Sequence, residues 1–364
     1  MTNIRRIVEL RSDTFTLPSP AMLTAISQAE LGDDGYREDP TVIRLEELTA
    51  RKLTKEAACL MPSGTMANLA SILAHCAGED SVALVGDQSD ILVYEDEGLA
   101  ARLGVKYRPL PTARDGQVAL ADIAAQFVEK AGVPRPALLC LENPHNLCGG
   151  VVLQPDYMHE AAALVHSQGA MFHLDGARIF NAAVQLKTDV QEIVRSADSV
   201  QFCLSKGLAA PIGSVVAGSR AFIEQVRQKR RMLGGNMRQA GIIAAAGIVA
   251  LDQMVERLQE DHRNARRLAE ALDGLPGLQL DMESVQTNTV VFRVTDERFT
   301  PESFIAAAWE EGIRLCDFKY GRIRAVTHYG VTPADIEDAI RVITQILKTG
   351  PCREVTACEA GTLA

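Results

Sequence analysis

Ser199-Val-Gln-Phe-Cys-Leu204 is an apolar, strand-like run, and Ser205-Lys206-Gly207 follows it directly. A run that is apolar at nearly every position is typical of a strand buried on both faces of a parallel sheet. In such sheets ligands bind where the strands end. The amine of Lys206 therefore occupies a position that favours chemistry. For a single lysine considered alone, a solvated surface residue is the alternative.

Five other runs between about residues 56 and 220 share this character, and helical patterns separate them. Alternating apolar runs and helical patterns predict an α/β protein with a mostly parallel sheet and helices on both faces. The six predicted strands are Ala57–Met61, Val82–Val85, Ala137–Leu141, Met171–Leu174, Val200–Leu204 and Gly213–Ala217.

Two of these strands end in groups that complement an amine. One runs into Asp175, and another runs into Pro62-Ser63-Gly64-Thr65, which opens a helical pattern. The first N–H groups of a helix lack internal partners and attract phosphate, although Ser63 as a simple helix cap is the alternative. A buried carboxylate such as Asp175 needs a partner, and a protonated pyridine nitrogen would supply one. Together with Lys206 as the Schiff-base amine, these groups predict a pyridoxal phosphate (PLP) site.

The chain divides by pattern into four parts. A long helical pattern runs from Gly235 to about Leu272, and the character changes after Gly274-Leu-Pro-Gly277. Strand-like and helical segments then alternate in a small α+β unit: Thr289–Arg293, Pro301–Glu311, Ile323–Thr327 and Pro333–Lys348. We predict an N-terminal arm over 1–20, a PLP-binding large domain over 21–250, a small C-terminal domain over 251–348 and a tail over 349–364.

The composition narrows the class of protein. The 364 residues carry a net charge of -10, with a pI near 5.3, which argues against nucleic acid and anionic membranes as partners. The sequence starts without an apolar signal segment, and no run reaches the roughly 20 apolar residues of a membrane helix. The eight cysteines lack the spacing of a metal site. We therefore expect no metal and a reduced, cytoplasmic setting.

Three further residues could act at the site, and each has a structural alternative. Arg178 could hold the phosphate or a substrate carboxylate, or could pair with Asp175. Arg324 shares a strand face with Arg322 and offers planar, two-pronged binding to a carboxylate, or could form a surface ion pair. His145 could serve as a general base near neutral pH, or could be a turn histidine after Asn-Pro.

Over about residues 8 to 348 the chain resembles the low-specificity L-threonine aldolases of the β-eliminating lyase group, which are PLP enzymes of fold type I. The resemblance implies an aspartate aminotransferase-like fold, with a mostly parallel seven-stranded sheet in a large domain and a small α+β C-terminal domain. The motifs that carry it are Leu10-Arg-Ser-Asp-Thr14, Gly32-Asp-Asp34, Glu38-Asp-Pro-Thr41, Pro62-Ser-Gly-Thr-Met-Ala-Asn68, His173-Leu-Asp-Gly-Ala-Arg178, Cys203-Leu-Ser-Lys-Gly207, Leu233-Gly-Gly235, Met237-Arg-Gln239 and Arg324-Ala-Val-Thr-His328.

The resemblance also implies roles for individual residues. Lys206 matches the Schiff-base lysine and Asp175 matches the partner of the pyridine nitrogen. Loops that often come from a neighbouring subunit match Tyr36, which is also a substrate-binding candidate, and Arg238, so a homotetramer built from dimers is expected. The remaining matches are Gly64 and Thr65 in the phosphate cup, Ser12, Arg178 and Arg324 at the substrate carboxylate, and His145 as an active-site histidine.

One departure from the family pattern matters most. The family usually places a ring-stacking histidine at the end of a phrase like G-D-x-S-H, whereas this chain has Gly86-Asp-Gln-Ser-Asp90. A carboxylate at position 90 cannot stack on pyridoxal, but it would lie over or beside the cofactor ring. It could contact a cationic substrate group or act as a base. The residues that match the cofactor-holding positions are intact, so PLP dependence is the firmer expectation and the substrate the weaker one.

We therefore expect retro-aldol cleavage of L-threonine or L-allo-threonine to glycine and an aldehyde. His145 is the first candidate for the base that removes the β-hydroxyl proton, and Asp90 is the second. A related PLP enzyme that eliminates or replaces a β- or γ-group is the alternative reaction, because of Asp90. A non-catalytic protein that kept the fold is the alternative from another class, and the presence of both Lys206 and Asp175 argues against it.

Overall fold

The computed structural model describes residues 6–76, 78, 81–95, 99–129 and 131–350. Residues 1–5 of the predicted arm and nearly all of the predicted tail over 349–364 lie outside the described residues. The strands are β1 (Val8–Glu9), β2 (Ala57–Met61), β3 (Ser81–Gly86), β4 (Val105–Leu110), β5 (Pro136–Glu142), β6 (Met171–Asp175), β7 (Ser199–Cys203), β8 (Ser214–Gly218), β9 (Leu278–Leu280), β10 (Thr289–Val294), β11 (Ile313–Arg314), β12 (Cys316–Phe318) and β13 (Arg322–Val326). The helices are α1 (Pro20–Ser27), α2 (Pro40–Lys52), α3 (Gly64–His75), α4 (Leu99–Arg102), α5 (Leu120–Ala125), α6 (Pro155–Ser167), α7 (Ile179–Leu186), α8 (Val190–Val194), α9 (Arg220–Met232), α10 (Gly241–Val249), α11 (Leu258–Asp273), α12 (Pro301–Glu310) and α13 (Pro333–Thr349).

A seven-stranded sheet in the order β2-β8-β7-β6-β5-β3-β4 forms the centre of the large unit. Only β8 runs against its neighbours, so the sheet is mostly parallel. All six strands predicted from apolar runs are present, within one or two residues at each end. The seventh, β4, was not predicted from its own residues, because it is an edge strand with exposed side chains and contains Pro109.

The predicted lysine lies at the end of the sheet where the parallel strands finish, which is where ligands bind in such sheets. Because β8 is antiparallel to β7, the chain turns back at the carboxyl end of β7 without a crossover helix. That turn contains Lys206. The strands β2, β3, β5 and β6 also end at this edge, so the residues that follow them meet there.

The small unit is an antiparallel sheet in the order β12-β13-β10-β9, with α11 and α12 packed on it and α13 packed against these two helices. The start of the chain belongs to the same core. Strand β1 pairs in parallel with β11, and both Val8 and Leu10 are buried among the apolar side chains of this unit. The segment predicted as an arm is therefore tied to the small unit. The division at residue 250 stays a prediction.

The predicted long helix from Gly235 is wrong at its start. Residues 235–240 are irregular, α10 begins at Gly241, and a π-helical stretch, Ala250–Met254, separates α10 from α11. The Asp39 carboxylate accepts the N–H of Gly241 at 2.9 Å and that of Gly32 at 3.1 Å. This distant carboxylate supplies an acceptor where the helix begins, and no local periodicity reveals it.

No helix among the described residues is long and apolar enough to cross a bilayer. Within the same ranges, no group of three or more His, Cys, Asp or Glu side chains is arranged to hold a metal ion.

Candidate active site

Asp175 lies at the end of β6 and is almost wholly buried. One of its carboxylate oxygens accepts from Asn68 Nδ2 at 2.9 Å, and the other accepts from Gln201 Nε2 at 2.5 Å and from the N–H of Ala177 at 3.0 Å. Burial raises the pKa of the Asp175 carboxyl, Asp90 adds to the rise, and other neighbours oppose it. A cation against Asp175 would favour the charged carboxylate, so the site suits a protonated ring nitrogen.

Lys206 lies in the β7–β8 turn, among groups of opposite charge. Burial and the charge of Arg178 disfavour the charged amine, but the Cys203 sulfur and the carboxylates of Asp13 and Asp90 outweigh them and raise the pKa of Lys206. The Lys206 amine forms no hydrogen bond with any residue that the structure describes. The amine is therefore held in place by packing and by the field of nearby acids.

The start of α3 fits a phosphate group. The Ser63 hydroxyl accepts the N–H of Met66 at 3.2 Å, so the predicted alternative of a helix cap is realised. The N–H groups of Gly64 and Thr65 have no acceptor among the described residues. A Cβ at position 64 would lie 2.8 Å from Cys203 Sγ, so only glycine lets this helix start approach the end of β7 so closely. The predicted phosphate role of Ser63, Gly64 and Thr65 fits this geometry and stays a prediction.

Arg178 forms an ion pair with Asp13. The ion pair with Asp175 that was weighed as an alternative is therefore wrong. Its Nε and Nη2 donate to the two carboxylate oxygens of Asp13, each at 2.7 Å, and both side chains are buried. Burial pushes the pKa of Asp13 upward, but Arg178 more than offsets it and holds that pKa below its usual range. The pairing leaves both N–H groups of Nη1 and one of Nη2 for other acceptors. Asp13 was missed because it lies 165 residues away along the chain.

Arg324 joins the same region through a chain of side chains. Its Nη1 donates to Asn146 Oδ1 at 2.9 Å, and Asn146 Nδ2 donates to both carboxylate oxygens of Asp90, at 3.0 and 3.2 Å. Its Nη2 donates to the carbonyl of Arg11 at 3.2 Å, which brings Arg324 beside Ser12. The Ser12 hydroxyl itself accepts from a backbone N–H two residues on.

The Nε of Arg324 is buried and has no acceptor among the described residues. Arg324 also forms no ion pair with a described residue, so the surface ion pair weighed for it is absent from that part of the chain. As predicted, Arg322 lies on the same strand face, where it donates to the carbonyl of Leu147 at 2.8 Å. An arginine with an unused buried N–H suits a carboxylate ligand.

His145 is buried after β5, and burial lowers its pKa to about 4. The imidazole is therefore neutral near pH 7, as a general base must be. Its Nδ1 has no partner among the described residues. No hydrogen bond joins His145 to Lys206, Asp175 or Asp90 within the part of the chain that the structure describes, so its catalytic role stays a prediction.

Glu95 is a site residue that the sequence reasoning missed. It follows Asp90 by five residues, in the π-helical turn Ile91–Glu95. Its carboxylate accepts from Asn68 Nδ2 at 2.8 Å and from the Thr65 hydroxyl at 3.3 Å. Burial first, and then the charge of Asp175, raise the pKa of Glu95 to about 7. The signal that could have found it is its short distance from Asp90 along the chain.

Tyr36 and Arg238 lie together on the surface. The carbonyl of Arg238 accepts the N–H of Asp34 at 2.9 Å, which joins the two loops, and both side chains are exposed. Neither forms a hydrogen bond with Lys206 or Asp175 in the described residues. Their predicted contribution to the site of a neighbouring subunit therefore stays a prediction.

We expect four buried or half-buried histidines to destabilise the protein as the pH falls from about 6.5 to about 4. Burial lowers the pKa of His75, His145 and His262 to about 4 and that of His173 to about 3, from 6.5. At these histidines the folded state binds fewer protons than the unfolded state in this window, so each histidine costs about 3 kcal/mol by its lower end. Urea unfolding at stepped pH measures the loss.

His75→Phe should flatten the pH dependence, because it removes one of these titrations, whereas His159→Gln, at an exposed position, should not. Equal slopes for the two variants would contradict the prediction.

The comparisons with known proteins bear on the family and on the fold. The sequence model of the family named Beta-eliminating lyase matches residues 9–295. Low-specificity L-threonine aldolase 1 of Arabidopsis thaliana is 40% identical over 350 residues, which covers 95% of this chain and 98% of that protein. Among solved structures, Leishmania major threonine aldolase has a TM-score of 0.79 at 17% identity, covering 93% of this chain and 98% of that one.

A second solved structure extends the comparison of folds. Serine palmitoyltransferase from S. paucimobilis, solved with PLP and myriocin, has a TM-score of 0.74 at 18% identity and covers 95% of this chain and 89% of that chain. The predicted fold type I architecture is confirmed by these likenesses and by the seven-stranded sheet. The family match over most of the sequence and the relative that spans nearly its full length show that this chain belongs to the beta-eliminating lyase family, beside the low-specificity L-threonine aldolases.

Proposed function

We propose that this chain is a PLP-dependent lyase that cleaves L-threonine and L-allo-threonine, and β-hydroxy-α-amino acids of this kind, to glycine and an aldehyde. The observation that carries the proposal is the meeting of three groups at one edge of the sheet. They are the amine of Lys206, the buried carboxylate of Asp175 and the free N–H groups at the start of α3. The names of the relatives and the PLP found in a structural neighbour support it.

The residues present fit PLP. Gly64 and Thr65 would hold its phosphate, Asp175 would hold its ring nitrogen, and Lys206 would bond its aldehyde. When bound, PLP supplies an electron sink for the pair left on the substrate Cα after a bond breaks. Asp175 contributes by remaining an anion, which three hydrogen-bond donors on its two oxygens support.

The substrate carboxylate is assigned to Arg324, with Ser12 beside it. The buried Nε of Arg324 has no acceptor in the described part of the chain, and its Nη2 already contacts the backbone of Arg11. Binding the carboxylate at one fixed point orients the amino acid, and orientation decides which Cα bond breaks. The Nη1 of Arg178 offers a second contact from the opposite side of the Asp13 pair.

The proton on the β-hydroxyl must be removed for the Cα–Cβ bond to break. His145 is the proposed base, because its imidazole is neutral and its Nδ1 is unpaired within the described residues. Asp90 is the second candidate. Its carboxylate is held by Asn146 and lies close enough to His145 to influence its titration.

A product assay tests the function. The purified protein, loaded with PLP, is incubated with L-threonine and with L-allo-threonine, and glycine, acetaldehyde and 2-oxobutanoate are measured. We expect glycine and acetaldehyde in equal amounts. If neither substrate gives glycine in a PLP-loaded protein, the aldolase proposal fails.

Asp90 is the specific reason to keep a second candidate function, the elimination or replacement of a β- or γ-group. We expect Asp90→His to tighten PLP binding by roughly two- to tenfold, the value of one ring–ring contact. Asp90→Asn removes the charge without adding a ring and is the matched control. Fluorescence titration gives the affinity, and the ratio of glycine to 2-oxobutanoate shows whether position 90 directs the reaction. Equal affinities for the two variants would argue against a stacking position.

The protein is further proposed to be a homotetramer built from dimers, with Tyr36 and Arg238 contributing to a neighbouring site. Both side chains are exposed, and their two loops are joined by a backbone hydrogen bond. A reduced, cytoplasmic setting fits the buried free thiols of Cys59, Cys140 and Cys203. Sedimentation velocity gives the oligomeric state.

A further inference from the structure

A continuous row of buried hydrogen bonds leads away from Asp175 through the interior. Asn68 Nδ2 donates to Asp175 at 2.9 Å, and Asn68 Oδ1 lies 3.1 Å from His173 Nε2. His173 Nδ1 lies 2.7 Å from the Ser199 hydroxyl, which lies 2.7 Å from His75 Nε2. Four side chains from α3, β6 and β7 thus form one connected row that ends on the candidate active-site carboxylate.

The proton positions along the row follow by elimination. Asn68 Nδ2 faces the carboxyl groups of Asp175 and Glu95, so the other amide atom, Oδ1, must accept from His173. His173 therefore carries its proton on Nε2. A neutral His173 then has a bare Nδ1, which accepts the hydroxyl proton of Ser199.

The outer end of the row is set in the same way. The Ser199 oxygen has given its proton inward, so it accepts from His75, whose proton is therefore on Nε2. The His75 ring stacks on Phe222 at 4.3 Å between centroids, which fixes its position. Every hydrogen bond in the row points toward Asp175.

We propose that His173, Ser199 and His75 are positioning residues that hold the Asn68 amide in one orientation, so that it always donates to Asp175 and keeps that carboxylate charged for the ring nitrogen of the cofactor. This inference rests on the proposed binding of PLP. Aligned hydrogen bonds in a buried row polarise one another, so each outer member strengthens the donation to Asp175. If the Asn68 amide turned over, its carbonyl oxygen would face the carboxyl oxygens of Asp175 and Glu95, and both hydrogen bonds would be lost.

Two independent features support a permanent direction. Burial lowers the pKa of His173 to about 3 and that of His75 to about 4, so both rings stay neutral at working pH. The charge of Asp198 acts to raise the pKa of His75, but burial outweighs it. Ser199 is fully buried, so water does not compete for its hydroxyl.

Nitrogen NMR of the PLP-loaded protein, labelled at its histidines, tests the row. In the native protein we expect His173 and His75 to be the Nε2–H tautomers. Ser199→Ala removes the link between the two rings, and His173 should then show a mixture of tautomers. Ser71→Ala is the matched control, because Ser71 is fully buried on α3 and its hydroxyl donates to the backbone carbonyl of Ala67. Unchanged His173 signals in Ser199→Ala would overturn the row.

The retention of PLP by the loaded protein supplies the second readout. We expect Ser199→Ala to weaken PLP binding by roughly three- to tenfold, the value of one or two hydrogen bonds, with a smaller loss in His75→Phe, which keeps the ring stacked on Phe222. In a connected row, the loss of PLP affinity should be smaller for a substitution farther from Asp175. If Ser199→Ala does not fold, His75→Phe decides by the same two measurements.

The outcomes separate this inference from the proposed function. If the native protein binds no PLP, the proposed function fails, while the tautomers still report on the row. If PLP binds and both Ser199→Ala and His75→Phe retain it as Ser71→Ala does, the inference is wrong and the function stands.

Discussion

Lys206→Ala should yield a folded protein with no visible PLP absorption and with turnover of threonine reduced by roughly 10³-fold or more. The amine is the group at this edge of the sheet that is proposed to bond the aldehyde of the cofactor. It also supplies positive charge near Asp90 and Asp175, each of which raises the pKa of a neighbouring group at this site. The loss should therefore appear in kcat as well as in retention of the cofactor.

Absorption spectra and steady-state kinetics at saturating PLP measure the two effects. Lys348→Ala is the matched control, because this lysine is exposed in the last turn of α13. It should retain both the absorption and the turnover. A Lys206→Ala protein that kept its visible band, or that cleaved threonine at the native rate, would remove the basis of the proposed function.

The centre of the fold was predictable because burial leaves a direct mark on sequence. Strands buried on both faces, such as Met171–Asp175 and Ser199–Cys203, are apolar at most positions. Charged residues mark their carboxyl ends: Asp175 is the last residue of the first strand, and Lys206 comes soon after the second. The edge strand Val105–Leu110 carries no such mark, because solvent covers part of its surface. Its existence followed only from the resemblance to a seven-stranded family.

Most members of the candidate site were predictable, but Glu95 and the hydrogen-bond partners of the other members were not. Lys206, Asp175 and the α3 start were found because each lies next to the end of a strand. The buried pair of Asp13 with Arg178 spans 165 residues, and the Asn68–Asp175 contact spans 107, so no local pattern encodes them. The start of the helix predicted from Gly235 was missed for the same reason, because the Asp39 carboxylate that accepts the N–H of Gly241 lies 202 residues away along the chain.

Asp175→Asn should reduce kcat by roughly 10²–10³-fold, the usual loss when one preorganised electrostatic partner of the reacting centre is removed. The substitution preserves size and removes charge. The new Oδ1 can still accept from Gln201 and from the N–H of Ala177. The new Nδ2 would face the Asn68 amide, donor against donor, at the position where a carboxylate oxygen now accepts.

Some stability will therefore be lost as well, about 1–3 kcal/mol for the unmet donor, and the kinetic effect must be separated from it. Asp198→Asn provides the separation. The Asp198 carboxylate also accepts two hydrogen bonds, from the N–H of Phe172 and from His166, but it lies at the opposite end of the same sheet. We expect Asp198→Asn to cost comparable stability by urea unfolding while it leaves kcat near the native value. If both variants kept the native kcat, Asp175 would not be the carboxylate that controls the reaction, and the candidate site would have to be assigned elsewhere.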